Sequence, residues 1–249
     1  MKGYGDSTYG DAFADVYDEW YGTVSDVEST VSALARLSDE VGDFPIVELG
    51  VGTGRLAIPL ARLVAPRQVI GIDSSAAMLL QLAQKPGSEM VPTILGDMID
   101  DLPAGPVGVV FAAFNTFFNL ESEERQRRCM GTVAQRLAPA GVLVIEALVP
   151  ERPTRSGSRV EVKSIDSDRV VLSVSRYDGT EQTAEGQFIE FTETGGVRLR
   201  PWSIRHVSPA ELDSMAADVG LVLRHRCETF AGAAFTDDSN RHVSIYSAA

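Results

Sequence analysis

The chain has 249 residues, 44% of them apolar, enough for a large core and unlike a globally disordered protein. Its formal charge of −13 makes polyanions poor ligands, which sets aside nucleic acid and anionic membrane surfaces as partners. The longest clean apolar run, Val107 to Phe114, falls far short of the roughly 20 residues that span a bilayer. The first twenty residues carry Asp6, Asp11, Asp15, Asp18 and Glu19, unlike a basic, apolar secretory signal. A cytoplasmic chain is expected, with Cys129 and Cys227 as buried free thiols.

In chain order, Phe13, Val16, Tyr17 and Trp20–Tyr21 fall at helical spacing, and a second helix is expected from about Ser25 to Leu37. A regular beat follows. Strands are predicted at 44–49, 68–73, 90–95, 107–114 and 141–148, and helices at 54–64, 75–84 and 122–137. Near-continuous apolar strands alternating with helices predict an α/β fold, a parallel sheet covered on both faces. Pro59 falls inside the 54–64 helix, where it should cost a hydrogen bond, and the sequence offers no account of it.

After Pro150 the period changes. Residues 159–206 alternate apolar and polar between turn residues, which predicts an antiparallel meander too long for an ordinary connection. Its inner face is expected to roof a cleft beside strands four and five. A helix follows at 208–220, with Ser208 as N-cap, Pro209 as first residue, Glu211 as capping-box partner and Gly220 as the stop. Two more strands close the chain.

The most informative stretch is "VELGVGTGRL" (47–56), with Gly50, Gly52 and Gly54 where a strand becomes a helix. Glycines there let backbone approach a ligand, and the helix start offers unpaired N–H groups. The spacing is G-x-G-x-G. Arg55 stands where a dinucleotide fingerprint needs its third glycine, and the Gly-Lys-Ser/Thr ending of a phosphate loop is absent. Asp73 ends the second strand, where a carboxylate can accept both ribose hydroxyls of an adenosine. Its other reading is a helix N-cap, a place that Ser74 or Ser75 could also fill. Asp97, in "LGDM", ends the third strand, where it could meet an adenine amine or cap a turn.

The segments "VELGVGTGR", "GIDSSAAML" and "GDM" resemble, in order and spacing, the first three motifs of class I S-adenosylmethionine-dependent methyltransferases. That resemblance spans about 44–148. It implies a Rossmann-like seven-stranded sheet and S-adenosyl-L-methionine as cofactor. It puts Gly50, Gly52 and Gly54 under the methionine portion and Asp73 on the ribose. Asp97 and Met98 would lie around the adenine, Glu48 would be the acid of the first motif, and Met78 would pack on the adenosine. Arg55, Ser74 and Phe114 join this set as neighbours of those motifs. "YGDAFADVYDEWY", the β insertion and "FNTFFNL" further resemble bacterial small-molecule methyltransferases of secondary metabolism, including amino-sugar N-methyltransferases of antibiotic pathways. This implies an N-terminal helical lid, with Tyr17 or Tyr21 reaching the cofactor carboxylate and Tyr9 the substrate. The sugar enzymes carry a histidine where this chain has Asn119, which leaves O- and C-methylation open beside N-methylation.

The domain reading is a lid (1–42), a cofactor-binding core (43–150), a β insertion roofing the substrate (151–206) and a C-terminal completion of the sheet (207–249). Methyl transfer is an in-line displacement with a good leaving group, so the enzyme mainly aligns the nucleophile and excludes water. An amine need only lose its proton, whereas a hydroxyl needs a base. His206 is the preferred proton acceptor, with Tyr9 and Asn119 positioning the acceptor and Asn115, Phe118 and Glu146 binding it. The expected partner is a small-molecule acceptor. A homodimer is left open, and no ligand spacing suggests a metal. Two other readings remain, a non-methylating member of the same fold and an NAD(P)-binding oxidoreductase. Arg55 speaks against the second.

Overall fold

The computed structural model describes residues 1–22, 26–150 and 156–249. Ser25, the expected start of the second helix, and residues 151–155 of the insertion lie outside them. The strands β1 (Ile46–Leu49), β2 (Val69–Asp73), β3 (Thr93–Leu95), β4 (Val107–Ala112) and β5 (Leu137–Leu148) run parallel in the order β3-β2-β1-β4-β5. The C-terminal strands β10 (Leu221–Cys227) and β11 (Arg241–Ala248) complete seven, with β11 antiparallel to both β5 and β10.

The apolar runs are explained by double coverage. Along β4, Val110 and Ala112 join the core under α6 (Glu123–Arg136) and α7 (Pro209–Asp218), while Val109 and Phe111 face α3 (Val27–Val41) and α4 (Ala57–Val64). That is the period of two of a strand buried on both faces. The helix α3 packs with Val31, Leu34 and Ala35 in this second core, so it belongs to the helical layer of the sheet. No helix among the described residues is long and apolar enough to cross a membrane.

Pro59 finds its explanation in the helix boundary. The helix α4 begins at Ala57, so Pro59 is its third residue, and its missing N–H is one that has no partner within the helix. At α7 the local signals hold: Ser208 accepts from the Glu211 N–H and the Glu211 side chain accepts from the Ser208 N–H. Several expected elements change length, as α3 does by running on to Val41. The strand expected from 90 is only Thr93–Leu95, because Ser88–Met90 closes a 3₁₀ turn first, and β5 starts at Leu137 instead of 141.

The insertion forms its own sheet of β6 (Gly157–Ile165), β7 (Arg169–Asp178), β8 (Thr183–Thr192) and β9 (Gly196–Arg205), paired in chain order. The N-terminal helices α1 (Thr8–Phe13) and α2 (Tyr17–Tyr21) lie against its face. Phe13 is fully buried there, 5.8 Å from the Phe188 ring, and Trp20 lies 5.6 Å from the same ring. On its other side Phe13 belongs to a small core with Met78 of α5 (Ala76–Ala83).

Candidate active site

The glycine loop adopts a backbone that other residues rarely take, with φ of +66° at Gly50, +54° at Gly52 and +76° at Gly54. A Cβ on Gly50 would also strike Thr116, and one on Gly54 would lie 2.8 Å from Leu82 Cγ. The loop is tied to β2 by Asp73. The Gly52 N–H donates to its Oδ2 at 2.8 Å and the Ser75 N–H to its Oδ1 at 2.8 Å. A carboxylate has about four acceptor sites, so two remain for a ligand. Ser75, not Asp73, caps α5, accepting from the Met78 N–H at 3.2 Å. Burial raises the Asp73 carboxyl above its ordinary range against the pull of those two N–H groups.

Glu48 lies on β1 beneath this loop and is 5% exposed. Burial pushes its carboxyl up to about 8, Arg55 opposes the shift, and Asp73 adds to it. Its Oε2 is buried without a hydrogen-bond partner. The folded state therefore keeps this proton to higher pH than the unfolded chain. The stability it supplies is full below the unfolded value of 4.5 and is lost as pH rises through about 8. Glu48→Gln is expected to flatten the fall in melting temperature across that window. Parallel pH profiles for the two proteins, measured by thermal melts, would remove Glu48 from this role.

A cavity of about 70 Å³ opens above the loop, lined by Gly50, Gly52, Asp73, Ser74, Met78, Asp97, Met98 and Asn119 and covered by Tyr9 and Tyr17 of the N-terminal helices. It brings together most of the expected cofactor set. Asp97 is not a free acceptor. Its Oδ1 takes the Ile99 N–H at 2.6 Å and its Oδ2 the Arg125 guanidinium at 2.6 Å. Burial acts to raise this carboxyl, but those donors together hold it below the usual range. Arg125 reaches from α6 to line the cavity and also pairs with Asp6 at 3.1 Å.

The three tyrosines form one cluster. The Tyr9 and Tyr21 hydroxyls influence one another, and the Tyr17 and Tyr21 rings lie 5.0 Å apart. Burial, with Tyr21 and Tyr17 beside it, raises the Tyr9 phenol well above 10, so it is a donor and not a base at neutral pH. Arg55 lies near Tyr17, Glu48 and Glu146 and opposes the upward shift that burial gives each of them.

The N-terminal acids are held from two sides, Asp11 and Asp18 by the core and Asp15 and Glu19 by the insertion sheet. Asp11 accepts from Ser75 at 2.6 Å, and Asp18 accepts from Thr53 at 2.6 Å and pairs with Lys85 at 2.6 Å. Asp15 pairs with Arg200 at 2.6 Å and Glu19 with Arg169 at 2.5 Å. Ser74 donates to the Asp6 carbonyl at 2.9 Å.

Other expected residues lie elsewhere. Phe114, Asn115 and Glu146 line a second cavity of about 220 Å³ with Arg241. It adjoins the tyrosine cluster, since the Phe114 ring is 5.6 Å from that of Tyr21. Glu146 accepts from the Phe114 N–H at 2.8 Å, and Asn115 Oδ1 from the Leu148 N–H at 2.7 Å, so both shape the strained turn after β4. Burial raises the Glu146 carboxyl, with Arg55 and Arg241 opposing. Phe118 is 2% exposed within the core beneath the turn. His206 lines a third cavity of about 750 Å³ with Gln182, Glu211 and Arg226, apart from the residues around the glycine loop. Burial and the neighbouring Arg205 lower its pKa.

Sequence reasoning missed Arg125 and Thr116. Arg125 sits in "ERQRR", which reads as a solvated helix face, and only the fold shows that this arginine turns toward Asp97.

Residues 46–141 match the family of methyltransferase domains. The CcbJ methyltransferase of Streptomyces caelestis is 38% identical over 99% of this chain and all of its own, with a TM-score of 0.88. With its glycine loop, its buried acid and its seven-stranded sheet, the chain belongs to the class I S-adenosylmethionine-dependent methyltransferases. The fold recurs in an S-adenosylmethionine-dependent methyltransferase from Clostridium acetobutylicum, 11% identical over 95% of this chain and 97% of that one, with a TM-score of 0.79. It recurs also in CalS10, an amino pentose methyltransferase of calicheamicin biosynthesis from Micromonospora echinaspora. That protein is 22% identical over 92% of this chain and 96% of its own, with a TM-score of 0.66. No curated protein gave a significant match.

Proposed function

We propose that this methyltransferase transfers its methyl group to an amine on a small natural-product or sugar acceptor. The observation that carries the amine reading is what faces the cofactor cavity. Among the described residues lining it there is no histidine, its tyrosines are held protonated, and its carboxylates are engaged, Asp73 by the Gly52 and Ser75 N–H groups, Asp97 by the Ile99 N–H and Arg125, and Asp6 by Arg125. A hydroxyl acceptor needs a base within hydrogen-bond reach, whereas an amine can arrive neutral. That CalS10, which shares the fold, is an amino pentose methyltransferase supports the same class of acceptor.

The residues present fit S-adenosylmethionine. Gly52 lines the cavity with no side chain of its own in the way, and Asp73 keeps acceptor sites beyond the two backbone N–H groups it holds. When bound, the cofactor supplies an electrophilic methyl on a good leaving group. The chain would hold its ribose with Asp73, its adenine between Met78, Met98 and the Asp97–Arg125 pair, and its methionine portion over Gly50–Gly54 near Tyr17, Tyr21 and Arg55. The Tyr9 hydroxyl and the Asn119 amide would orient the acceptor nitrogen. Its body would extend past Phe114 into the cavity of Asn115 and Glu146.

Residues 1–22 act as a lid in this reading, over the core formed by 43–150 and 207–249. A cavity of about 70 Å³ is well below the roughly 300–1,000 Å³ of small-molecule sites, so α1 and α2 must lift to admit the cofactor. The inner face of the insertion backs the lid, so the insertion roofs the site through α1 and α2.

A labelled-methyl assay on matched amine and hydroxyl acceptors tests the proposal. Turnover is expected with the amine, and exclusive turnover of the hydroxyl would overturn it. His206→Ala is expected to change turnover less than about threefold; a loss of about 10²–10⁴-fold would make it the base and favour a hydroxyl.

A further inference from the structure

Arg125 joins two walls of the cofactor cavity. It lies in the first turn of α6, where its own N–H donates to the cap Ser122 Oγ at 3.2 Å. One guanidinium nitrogen, Nη2, donates to Asp97 Oδ2 at 2.6 Å and to Asp6 Oδ2 at 3.1 Å. That nitrogen carries two N–H groups, enough for one to each carboxylate. The two carboxylates are not held alike. Asp97 is fixed by its own turn, since Oδ1 accepts from the Ile99 N–H at 2.6 Å and its N–H donates to Asp101 Oδ2 at 2.7 Å. Asp6 belongs to the segment ahead of α1, and besides this ion pair its carbonyl accepts from the Ser74 hydroxyl at 2.9 Å. Ser74, Asp97, Arg125 and Asp6 all line the one cavity.

The acids of residues 1–22 pair with Arg125, Lys85, Arg169, Arg198 and Arg200. Among the described residues, Asp6 alone shares its partner with a member of the cofactor set, because Arg125 also holds Asp97. The Arg125, Asp97 and Asp6 side chains are 33%, 22% and 51% exposed, so with water in the cavity the contact to Asp6 is a surface pair of little worth. A base laid against the group expels that water, and a charge-assisted hydrogen bond strengthens as the local dielectric falls. Adenine suits the place. Its exocyclic amine is a donor, and Asp97 Oδ2 has a second acceptor site beyond the one given to Arg125.

We propose, resting on the adenine placement given above, that Arg125 is a positioning residue that aims Asp97 at the adenine amine and, through Asp6, draws the N-terminal segment closed over the base. Binding of the nucleoside and closure of the segment then strengthen one another by the same factor.

Calorimetry on the full chain tests this with S-adenosylhomocysteine and with S-inosylhomocysteine, in which a ring carbonyl replaces the amine. Arg125→Gln should weaken S-adenosylhomocysteine about tenfold and cut its advantage over the inosine form at least about threefold. Loss of packing alone would weaken both ligands equally. Arg125→Lys keeps a cation and should recover part of both effects. Asp6→Asn should weaken S-adenosylhomocysteine about threefold in the wild type and leave it unchanged in Arg125→Gln. Hydrogen exchange reads closure directly: saturating S-adenosylhomocysteine should protect the amides of residues 4–13 more in the wild type than in Asp6→Asn. Asp6 is half exposed, so this arm stands even if Arg125→Gln does not fold. An Arg125→Gln variant that binds within about twofold of wild type, an unchanged nucleoside preference, an Asp6→Asn effect equal in both backgrounds, or equal protection would each overturn the proposal. Asp97→Asn separates the two levels of failure. If it leaves the nucleoside preference intact, the adenine does not lie beside Asp97 and both readings fall. If it abolishes the preference while Arg125→Gln does not, only the role of Arg125 falls.

Discussion

Removing residues 1–22 is expected to leave a protein that folds but binds S-adenosylhomocysteine at least about 100-fold more weakly and turns over negligibly. The argument starts from the cavity. Tyr9, Gly10 and Tyr17 form its cover, and without them the adenosine would lie on an open sheet edge. Water would then compete for Asp73 and Asp97, and hydrogen bonds to charged groups are worth roughly 1.5–3 kcal/mol only when they are not given to solvent. Excluding water is also what aligns acceptor and methyl. The deletion strips cover from Arg200 and Phe188, so the melt is followed first by circular dichroism. If the truncated chain does not fold, Asp15→Asn with Asp18→Asn serves instead, since it loosens two lid contacts and leaves the packing in place. Isothermal calorimetry reads both variants. Affinity and turnover within threefold of wild type would mean that the N-terminal helices are not a lid.

The second large effect is expected at Asp73. Both of its oxygens organise backbone, one at Gly52 and one at Ser75, so the side chain shapes the loop that it would also share with the ribose. Asp73→Ala removes an ionised acceptor from all of these donors. The loss is about 1.5–3 kcal/mol of cofactor affinity, or roughly 10- to 150-fold in Kd. Asp73→Asn keeps one carbonyl oxygen and should fall between wild type and alanine. Calorimetry with S-adenosylhomocysteine on folded variants checks the order. An alanine variant that binds as tightly as wild type would limit Asp73 to its backbone bonds.

The glycine loop, the alternating β/α beat and the Ser208–Glu211 capping box could be read because each depends on residues close together in sequence. The identity of a loop glycine follows from its own φ, and a capping box from two residues three apart. Arg125 could not be read, because it and its partners Asp6 and Asp97 lie on three segments far apart in sequence. The meander showed a different limit. Alternation separates Val160, Val162, Leu172 and Leu199 from Lys163, Glu190 and Arg200, but period two does not say which set turns inward. That choice was made by the lid, whose Asp15 requires Arg200 and whose Trp20 and Phe13 require Phe188. His206 illustrates the same point for chemistry. Its place before α7 was legible, but the distance between that helix and the glycine loop depends on the whole insertion.

The acid-to-cation contacts along α1 and α2 also make closing of the site a matter of ionic strength. Each partly exposed pair contributes only about 0.2–1 kcal/mol, so Asp6, Asp15, Asp18 and Glu19 together hold the helices down by a few kcal/mol at most. In the lid reading proposed above, such a clasp would be firm enough to exclude water during methyl transfer and weak enough to open on every cycle. With a screening length near 8 Å at physiological salt and about 3 Å at 1 M, added electrolyte weakens the clasp while the apolar seat of Phe13 stays intact. If residues 1–22 are the lid proposed above, their acidic side chains would act as a spring whose stiffness the surrounding medium sets: spent cofactor is expected to leave more slowly in dilute buffer than in brine.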